Sequence, residues 1–176
     1  MVFPEITTER LLLRNIEQND ASVVLAGYSN PKIYNYISVA YHTLAEVQIQ
    51  LNWYKEIFTN RTGMWWGICL KKDGMMIGNG GFHRWQKEHK CIELGYWILP
   101  EYQRKGYASE AIFAMCQYAF RHLDIHRIEA IVEGENAGSM LLLKKAGFTN
   151  EGCRKECEWK NNKFIDLYSF ALLKIE

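Results

Sequence analysis

Residues 91–109 read CIELGYWILPEYQRKGYAS and pass from a strand pattern through a turn into a helix pattern. The strand pattern covers residues 91–98, and the helical spacing of apolar residues begins at Tyr107. The first N–H groups of a helix have no partner inside it, and the positive end of the helix dipole lies at the same point. Gly106 and Ala108 keep the turn narrow enough for an anion to reach the main chain. The stretch therefore predicts a phosphate or pyrophosphate site.

A second strand pattern, at residues 126–133, follows this helix, which extends to about His122. Because the helix occupies the connection, no hairpin joins the two strands, and they are predicted to be parallel. Strand, helix and strand in this order form a right-handed crossover. Both strands then end at the same edge of the sheet, where ligands bind between parting parallel strands.

The segment Asn136-Ala137-Gly138-Ser139 begins the next helix, at the edge just described. Two interpretations are open for it. Asn136 is a good N-cap with Ser139 one turn inside the helix, which is a purely structural role. The pair also follows a strand next to the predicted anion turn, which favours a role in ligand binding. The turn itself is not a Walker-type loop, because no Gly-Lys-Ser/Thr follows it.

The rest of the chain predicts a mixed sheet with helices on its faces. A capping-box pattern, Thr43-x-x-Glu46, marks the start of an amphipathic helix. The other predicted elements are an opening strand at 7–14, a short helix from Asn19 or Asp20 to about Tyr28, a connection from Pro31 to Tyr41, a hairpin of 64–71 and 75–83 turning at Asp73-Gly74, a helix at about 137–146 that stops at Gly147, and two antiparallel strands at about 148–159 and 164–173 joined by Asn161-Asn162.

Length and composition indicate one globular domain over residues 1–176, without repeats or linkers. The formal net charge of +1 argues against a dedicated nucleic-acid surface. No apolar run approaches the ~18 residues of a membrane span, and no signal-peptide pattern follows Met1. The five cysteines show no CxxC pairing and the five histidines no metal-ligand spacing. We expect a cytoplasmic protein with reduced thiols and no metal.

Six short motifs, each weak alone, together resemble the GNAT superfamily of acetyl-CoA-dependent N-acetyltransferases. Their order is similar to the branch related to RimJ and RimL, which acetylate ribosomal-protein N-termini. The motifs are Thr8-Glu9-Arg10-Leu11-Leu12-Leu13-Arg14, Glu93-Leu94-Gly95-Tyr96-Trp97-Ile98, the Gln/Arg-x-x-Gly-x-Ala turn at 103–108, Arg127-Ile128-Glu129-Ala130, Asn136-x-x-Ser139 and Lys145-Ala146-Gly147-Phe148.

The resemblance implies an α/β (α+β) fold with a mixed, mostly antiparallel sheet of about seven strands, a central splayed parallel pair and helices on both faces. It implies acetyl-CoA as cosubstrate, with the pantetheine arm in the gap between the splayed strands and no metal. The implied cofactor-binding residues are Trp97, Ile98 and Leu99 for the arm, Arg104, Lys105, Gly106, Tyr107, Ala108 and Ser109 for the pyrophosphate, and Asn136 and Ser139 beside the thioester.

The resemblance also implies a catalytic pair: Ser139 would protonate the departing thiolate, and Glu158 would act as the base. Glu158 has a competing local interpretation, because Arg154, Glu156 and Glu158 share one strand face in the alternating pattern. Such a charged row is usually just a solvated surface.

Many superfamily members carry a tyrosine acid on the last strand, four residues after an Asp. Counting from Asp166, this chain has Phe170 at that position. Tyr168 lies on the same predicted strand face and is an alternative acid. Glu156 and Tyr168 are the predicted substrate-binding residues.

The expected reaction is direct attack of a primary amine on acetyl-CoA in a ternary complex, since no cysteine is placed to act as a nucleophile. An α-amine with a pKa near 8 is roughly 10–15% neutral at pH 7, against about 0.04% for a lysine-like amine. This favours a protein or peptide N-terminus as acceptor. The alternatives are a small amine (a polyamine, an amino acid derivative or an aminoglycoside), a non-catalytic acyl-CoA-binding module, and a nucleotide binder. No nucleic-acid or membrane partner is expected, and the oligomeric state is open, a homodimer included.

Overall fold

The fold is known from a computed structural model that describes residues 2–37 and 39–175. Its strands are β1 (Ile6–Thr7), β2 (Leu11–Asn15), β3 (Met64–Leu70), β4 (Met76–Gln86), β5 (Cys91–Ile98), β6 (Arg127–Glu133), β7 (Thr149–Lys160) and β8 (Lys163–Leu173). Its helices are α1 (Ala21–Tyr28), α2 (Pro31–Tyr34), α3 (Leu44–Thr59), α4 (Tyr107–His122) and α5 (Ala137–Lys145).

The eight strands of the described residues form one sheet in the order β1-β2-β3-β4-β5-β6-β8-β7. Every neighbouring pair is antiparallel except β5 and β6, which are parallel. This confirms the mixed sheet and its parallel crossover through α4. The sheet has one strand more than expected, because the opening segment 7–14 divides into β1 and β2. The division occurs at Thr8, whose N–H donates to the carbonyl oxygen of Leu11 (2.9 Å) in a tight turn.

The local start and stop signals are confirmed where they were strongest. Thr43 accepts a hydrogen bond from the Glu46 N–H, and the Glu46 carboxylate accepts one from the Thr43 N–H, so the capping box forms. Gly147 follows α5 in the left-handed region at φ 91°. The connection after Pro31 differs from the expectation, since Pro31–Tyr34 is a short helix capped by the Asn30 side chain.

Helices cover both faces of the sheet. On one face, α1 and α3 enclose a core cluster that includes Val24, Leu51 and Trp97. On the other face, α4 packs Ile112 and Met115 onto the central strands. Among residues 2–37 and 39–175, no helix is both long and apolar enough to cross a membrane.

The parallel pair is short. β5 and β6 pair only at Cys91 with Arg127, Ile92 with Ile128, and Glu93 with Glu129. Beyond this point β5 stays paired with β4 as far as Ile98, and β6 stays paired with β8 as far as Glu133. The two strands therefore part, which confirms the splayed pair and opens a gap at the carboxyl edge of the sheet.

Candidate active site

The turn before α4 presents a series of unpaired main-chain N–H groups. Gly106 precedes the helix in the left-handed region at φ 83°, and Arg104 is also left-handed at φ 60°. The first bond of the helix is donated by the Glu110 N–H to the Gly106 carbonyl oxygen, at 3.1 Å. Within the described part of the chain, no protein acceptor pairs with the N–H groups of residues 104–109. Left-handed turns and a helix N-terminus together form an anion-binding concavity.

A side chain from the opening hairpin holds this turn in shape. The Arg10 guanidinium donates to the Lys105 carbonyl oxygen (2.9 Å) and to the Glu110 carboxylate (2.7 Å), and it lies 4.6 Å from the centre of the Tyr107 ring. The Thr8 hydroxyl also donates to Glu110, at 2.6 Å. Burial by itself would raise the pKa of Glu110, but the hydrogen bonds from Thr8 and Arg10 outweigh it and lower the pKa. No local sequence pattern indicates this clamp, since its partners lie about a hundred residues apart.

A cleft of about 830 Å³ lies between the parted strands. This volume is within the usual range for ligand sites. The cleft is lined by β5 from Leu94 to Ile98, by β6 from Ala130 to Glu133, by Gln103, Arg104, Gly106, Ala108 and Ser109 of the turn, and by Asn136, Gly138 and Ser139 at the start of α5. Most of the predicted cofactor-binding residues are thus in one place. Lys105 and Tyr107 do not line the cleft, so only their main-chain N–H groups belong to the anion turn.

Ile98 is one of the β5 residues whose main-chain groups face this cleft. The Leu99 N–H donates to the carbonyl oxygen of Ile77 on β4 (2.9 Å), and in an antiparallel ladder such bonds alternate along the strand. The main-chain groups of Trp97 and Leu99 therefore point toward β4, and those of Ile98 toward the gap. Leu99 does not line the cleft and its N–H is already bonded to Ile77, so the role predicted for it in binding the cofactor arm stays a prediction. The Ile98 carbonyl oxygen accepts a bond from the Gln103 side chain, at 2.8 Å.

Asn136 and Ser139 combine the two interpretations that the sequence left open. The Asn136 side chain accepts a hydrogen bond from the Ser139 N–H (3.0 Å) and caps α5, and both residues also line the cleft. The Ser139 hydroxyl lies 2.6 Å from the hydroxyl of Tyr96, and either oxygen can be the donor. Burial raises the pKa of Tyr96 to about 12, with the bond to Ser139 opposing it. Tyr96 is a partner that the sequence analysis did not identify.

A second cleft, of about 640 Å³, adjoins the first. Tyr36 and Glu133 line both clefts and mark their junction. The second cleft is polar and rich in charged groups. Its charged lining residues are Glu133, Glu135, Glu156, Asp166, Lys160 and Lys163. The predicted substrate-binding residues Glu156 and Tyr168 both line this second cleft.

Glu158 is exposed on β7 and lines neither cleft. The structure therefore does not place it in the cleft that Ser139 lines. β7 carries a bulge here. Arg154 pairs with Leu167 and Glu158 pairs with Ile165, so four steps along β7 match only two along β8. Arg154 and Glu158 stay on one face, but the regular alternation between them is interrupted. Phe170 is buried in the core, so it takes no part in either cleft.

The chain belongs to the GNAT acetyltransferase family, because the model of the acetyltransferase (GNAT) domain matches residues 10–149. The uncharacterized N-acetyltransferase YoaA of Bacillus subtilis (strain 168) is 33% identical over 174 residues, 98% of this chain and 98% of YoaA. The protein is accordingly an acetyltransferase that uses acetyl-CoA. Among the described residues, no group of three or more His, Cys, Asp or Glu side chains could hold a metal ion.

Two solved structures share the fold. RimL, a ribosomal L7/L12 alpha-N-protein acetyltransferase in complex with coenzyme A, matches with a TM-score of 0.87 at 20% identity, over 97% of this chain and 98% of that one. A spermidine N-acetyltransferase from Vibrio cholerae, in complex with CoA and spermine, matches with a TM-score of 0.84 at 24% identity, over 94% of this chain and 96% of that one.

Replacing Gly106 by Ala tests the anion turn. A Cβ there would sit 3.1 Å from the Arg10 guanidinium and in a left-handed conformation, which costs roughly 1–2 kcal/mol. We expect the affinity for coenzyme A, measured by calorimetric titration, to fall about tenfold or more.

Gly74→Ala is the matched control for this substitution. Gly74 has a similar φ of 73° in the β3–β4 turn, a Cβ added there would meet no atom within 4 Å, and the residue does not line the cleft. Gly74→Ala should lower the free energy of unfolding by a similar amount and leave coenzyme A affinity unchanged. Equal affinity in both variants would contradict the assignment of the turn.

Proposed function

We propose that this acetyltransferase acts on the α-amine of a peptide or protein N-terminus, as the ribosomal L7/L12 alpha-N-protein acetyltransferase RimL does. The observation that carries the proposal is the second cleft, which is polar, open and joined to the cofactor cleft at Glu133 and Tyr36. An acceptor in the second cleft would reach the first cleft at this junction.

The charges of the second cleft fit a cationic acceptor of low charge. Its carboxylates outnumber its lysines by four to two. Lys160 pairs with Glu133 and Lys163 pairs with Glu135. Within the described residues, Glu156 and Asp166 form no ion pair, although Asp166 accepts a hydrogen bond from the Glu156 N–H at 2.8 Å. Two carboxylates thus remain outside the ion pairs, which suits an acceptor of low positive charge better than the several ammonium groups of a polyamine.

Exposed aromatic side chains next to the second cleft support a peptide. Phe164 lines the cleft and is 59% exposed, and its ring packs edge-on against that of Trp159, which is 62% exposed. Tyr36, at the junction of the clefts, is also exposed. Large exposed apolar side chains that lie together mark interaction sites, and a peptide chain beyond its first residue can cover them.

Acetyl transfer to an α-amine needs only a weak general base. Attack forms a C–N bond to the acetyl carbon, the C–S bond breaks, and the sulfur leaves as a thiolate that takes up a proton. Because an α-amine is already partly neutral at pH 7, a modest acceptor for its proton is enough. Glu133 suits this role better than Glu158, because Glu133 lines both clefts and Glu158 lines neither.

Ser139 and Tyr96 supply a proton for the thiolate in this proposal. Their hydroxyls are 2.6 Å apart at the wall of the cofactor cleft, so a proton given by Ser139 can be replaced by that of Tyr96. Tyr168 is the alternative acid. It lines the second cleft rather than the first, which favours Ser139.

The catalytic assignment predicts a contrast between two variants. Ser139→Ala should lower kcat about 10²-fold with an unchanged Kd for coenzyme A, because general-acid catalysis is lost while binding is kept. Glu158→Gln should leave both constants unchanged. Steady-state thiol release and calorimetry measure the two quantities. A large loss of kcat in Glu158→Gln, with none in Ser139→Ala, would reverse the assignment.

The acceptor is tested by thiol release against matched peptides. One peptide has a free N-terminus and no lysine, and the second has the same sequence with an acetylated N-terminus and one added lysine. Spermidine and a panel of small amines complete the set. We expect turnover with the first peptide and a far lower kcat/KM with the others. Preference for spermidine would instead support the polyamine class, which shares the same fold.

A further inference from the structure

Lys160 connects three separate parts of the chain at the junction of the two clefts. Its ammonium donates to the carbonyl oxygen of Asn35 (2.9 Å), to that of Ile37 (3.2 Å) and to the Glu133 carboxylate. These partners lie on the segment after α2 and at the end of β6, while Lys160 itself is the last residue of β7. All three hydrogens of the ammonium group are thus used.

Lys163 lies in the same cleft but is held very differently. Its ammonium pairs with Glu135 alone, and the two side chains are 48% and 69% exposed. The Lys160 and Glu133 side chains are only 21% and 14% exposed. An exposed ion pair contributes little, whereas a shielded one with further hydrogen bonds fixes its partners firmly.

The segment held by Lys160 forms the wall between the clefts. Tyr36, between the two carbonyl groups that Lys160 binds, lines both clefts. The main-chain N–H groups of Tyr36 and Ile37 bond only locally, to Ile33 and Tyr34. Among the described residues, the carbonyl groups of this wall are therefore joined to the sheet by their hydrogen bonds with Lys160.

Lys160 also neutralises the charge of one carboxylate in the second cleft. With Lys160 in place, Glu133 is neutralised at the junction of the clefts. Without it, Glu133 would add a negative charge where the acceptor amine arrives, and a nearby second ammonium group of a polyamine could take its place.

We propose that Lys160 is a positioning residue that sets acceptor specificity. It holds the wall at residues 35–37 and neutralises Glu133, and so favours acceptors with one positive charge over polyamines. The inference rests on the proposed function, because it takes the second cleft as the acceptor site.

The test compares Lys160→Met with the matched control Lys90→Met, which removes the same charge from an exposed ion pair with Asp124 that lines neither cleft. Hydrogen exchange measured by mass spectrometry reports on the peptide that covers residues 33–37. Thiol release gives kcat/KM for spermidine and for the free-N-terminus peptide. In Lys160→Met we expect about tenfold faster exchange in that peptide, and a ratio of spermidine to peptide kcat/KM at least tenfold higher. Lys90→Met should match the wild type in both.

Three results would overturn the inference. These are unchanged exchange in Lys160→Met, an equal fall of kcat/KM for both acceptors, and the same change in Lys90→Met. An unchanged Kd for coenzyme A shows that the Lys160→Met variant is folded. If that variant does not fold, the experiment uses Lys160→Gln, which keeps a hydrogen-bond donor but not the charge. Failure of the proposed function is seen separately, as a wild-type enzyme that does not acetylate the peptide.

Discussion

The parting of β5 and β6 after only three paired positions is the constraint on which the rest of the structure depends. Beyond this point β5 stays paired with β4, and β6 stays paired with β8. The gap therefore exposes the main-chain groups along one side of each strand while the sheet stays intact. Because the crossover helix α4 starts at the end of β5, its free N–H groups meet the same gap. A continuous parallel pair would have no cleft here.

The cofactor turn depends on contacts with a distant part of the chain. Arg10 and Thr8 of the opening hairpin hold Glu110 and the Lys105 carbonyl, so the turn keeps its shape while its N–H groups stay free. Glu110 also lies in the first turn of α4, where a carboxylate is stabilised by the helix dipole. Its bonds to Arg10 and Thr8 direct it to the hairpin. The turn can thus present its free N–H groups, together with the positive end of the helix dipole, to an incoming anion.

Features that are decided within a few residues could be predicted from the sequence. The capping box at Thr43, the turn at Asp73-Gly74, the Gly147 stop and the crossover through α4 follow from local chemistry and chain order. Asn136 and Ser139 were also predicted to lie beside the anion turn, and in the structure both residues line one cleft.

Other features depend on tertiary contacts or on irregular backbone, which the periodicity of the sequence does not indicate. The clamp of Arg10, the Tyr96 partner of Ser139 and the triple contact of Lys160 each join residues far apart in the chain. The β7 bulge interrupts the regular alternation between Arg154 and Glu158, and Glu158 lines neither cleft. The bond from the Leu99 N–H to β4 could not be predicted for a related reason, since it depends on register.

The most direct test of the account is a titration of ¹⁵N-labelled protein with coenzyme A, followed through its amide resonances. If the pyrophosphate binds the turn, the amides of residues 104–109 should show the largest shifts and slowed exchange with solvent. Saturable binding that leaves these amides unperturbed, with the main shifts elsewhere, would contradict the account.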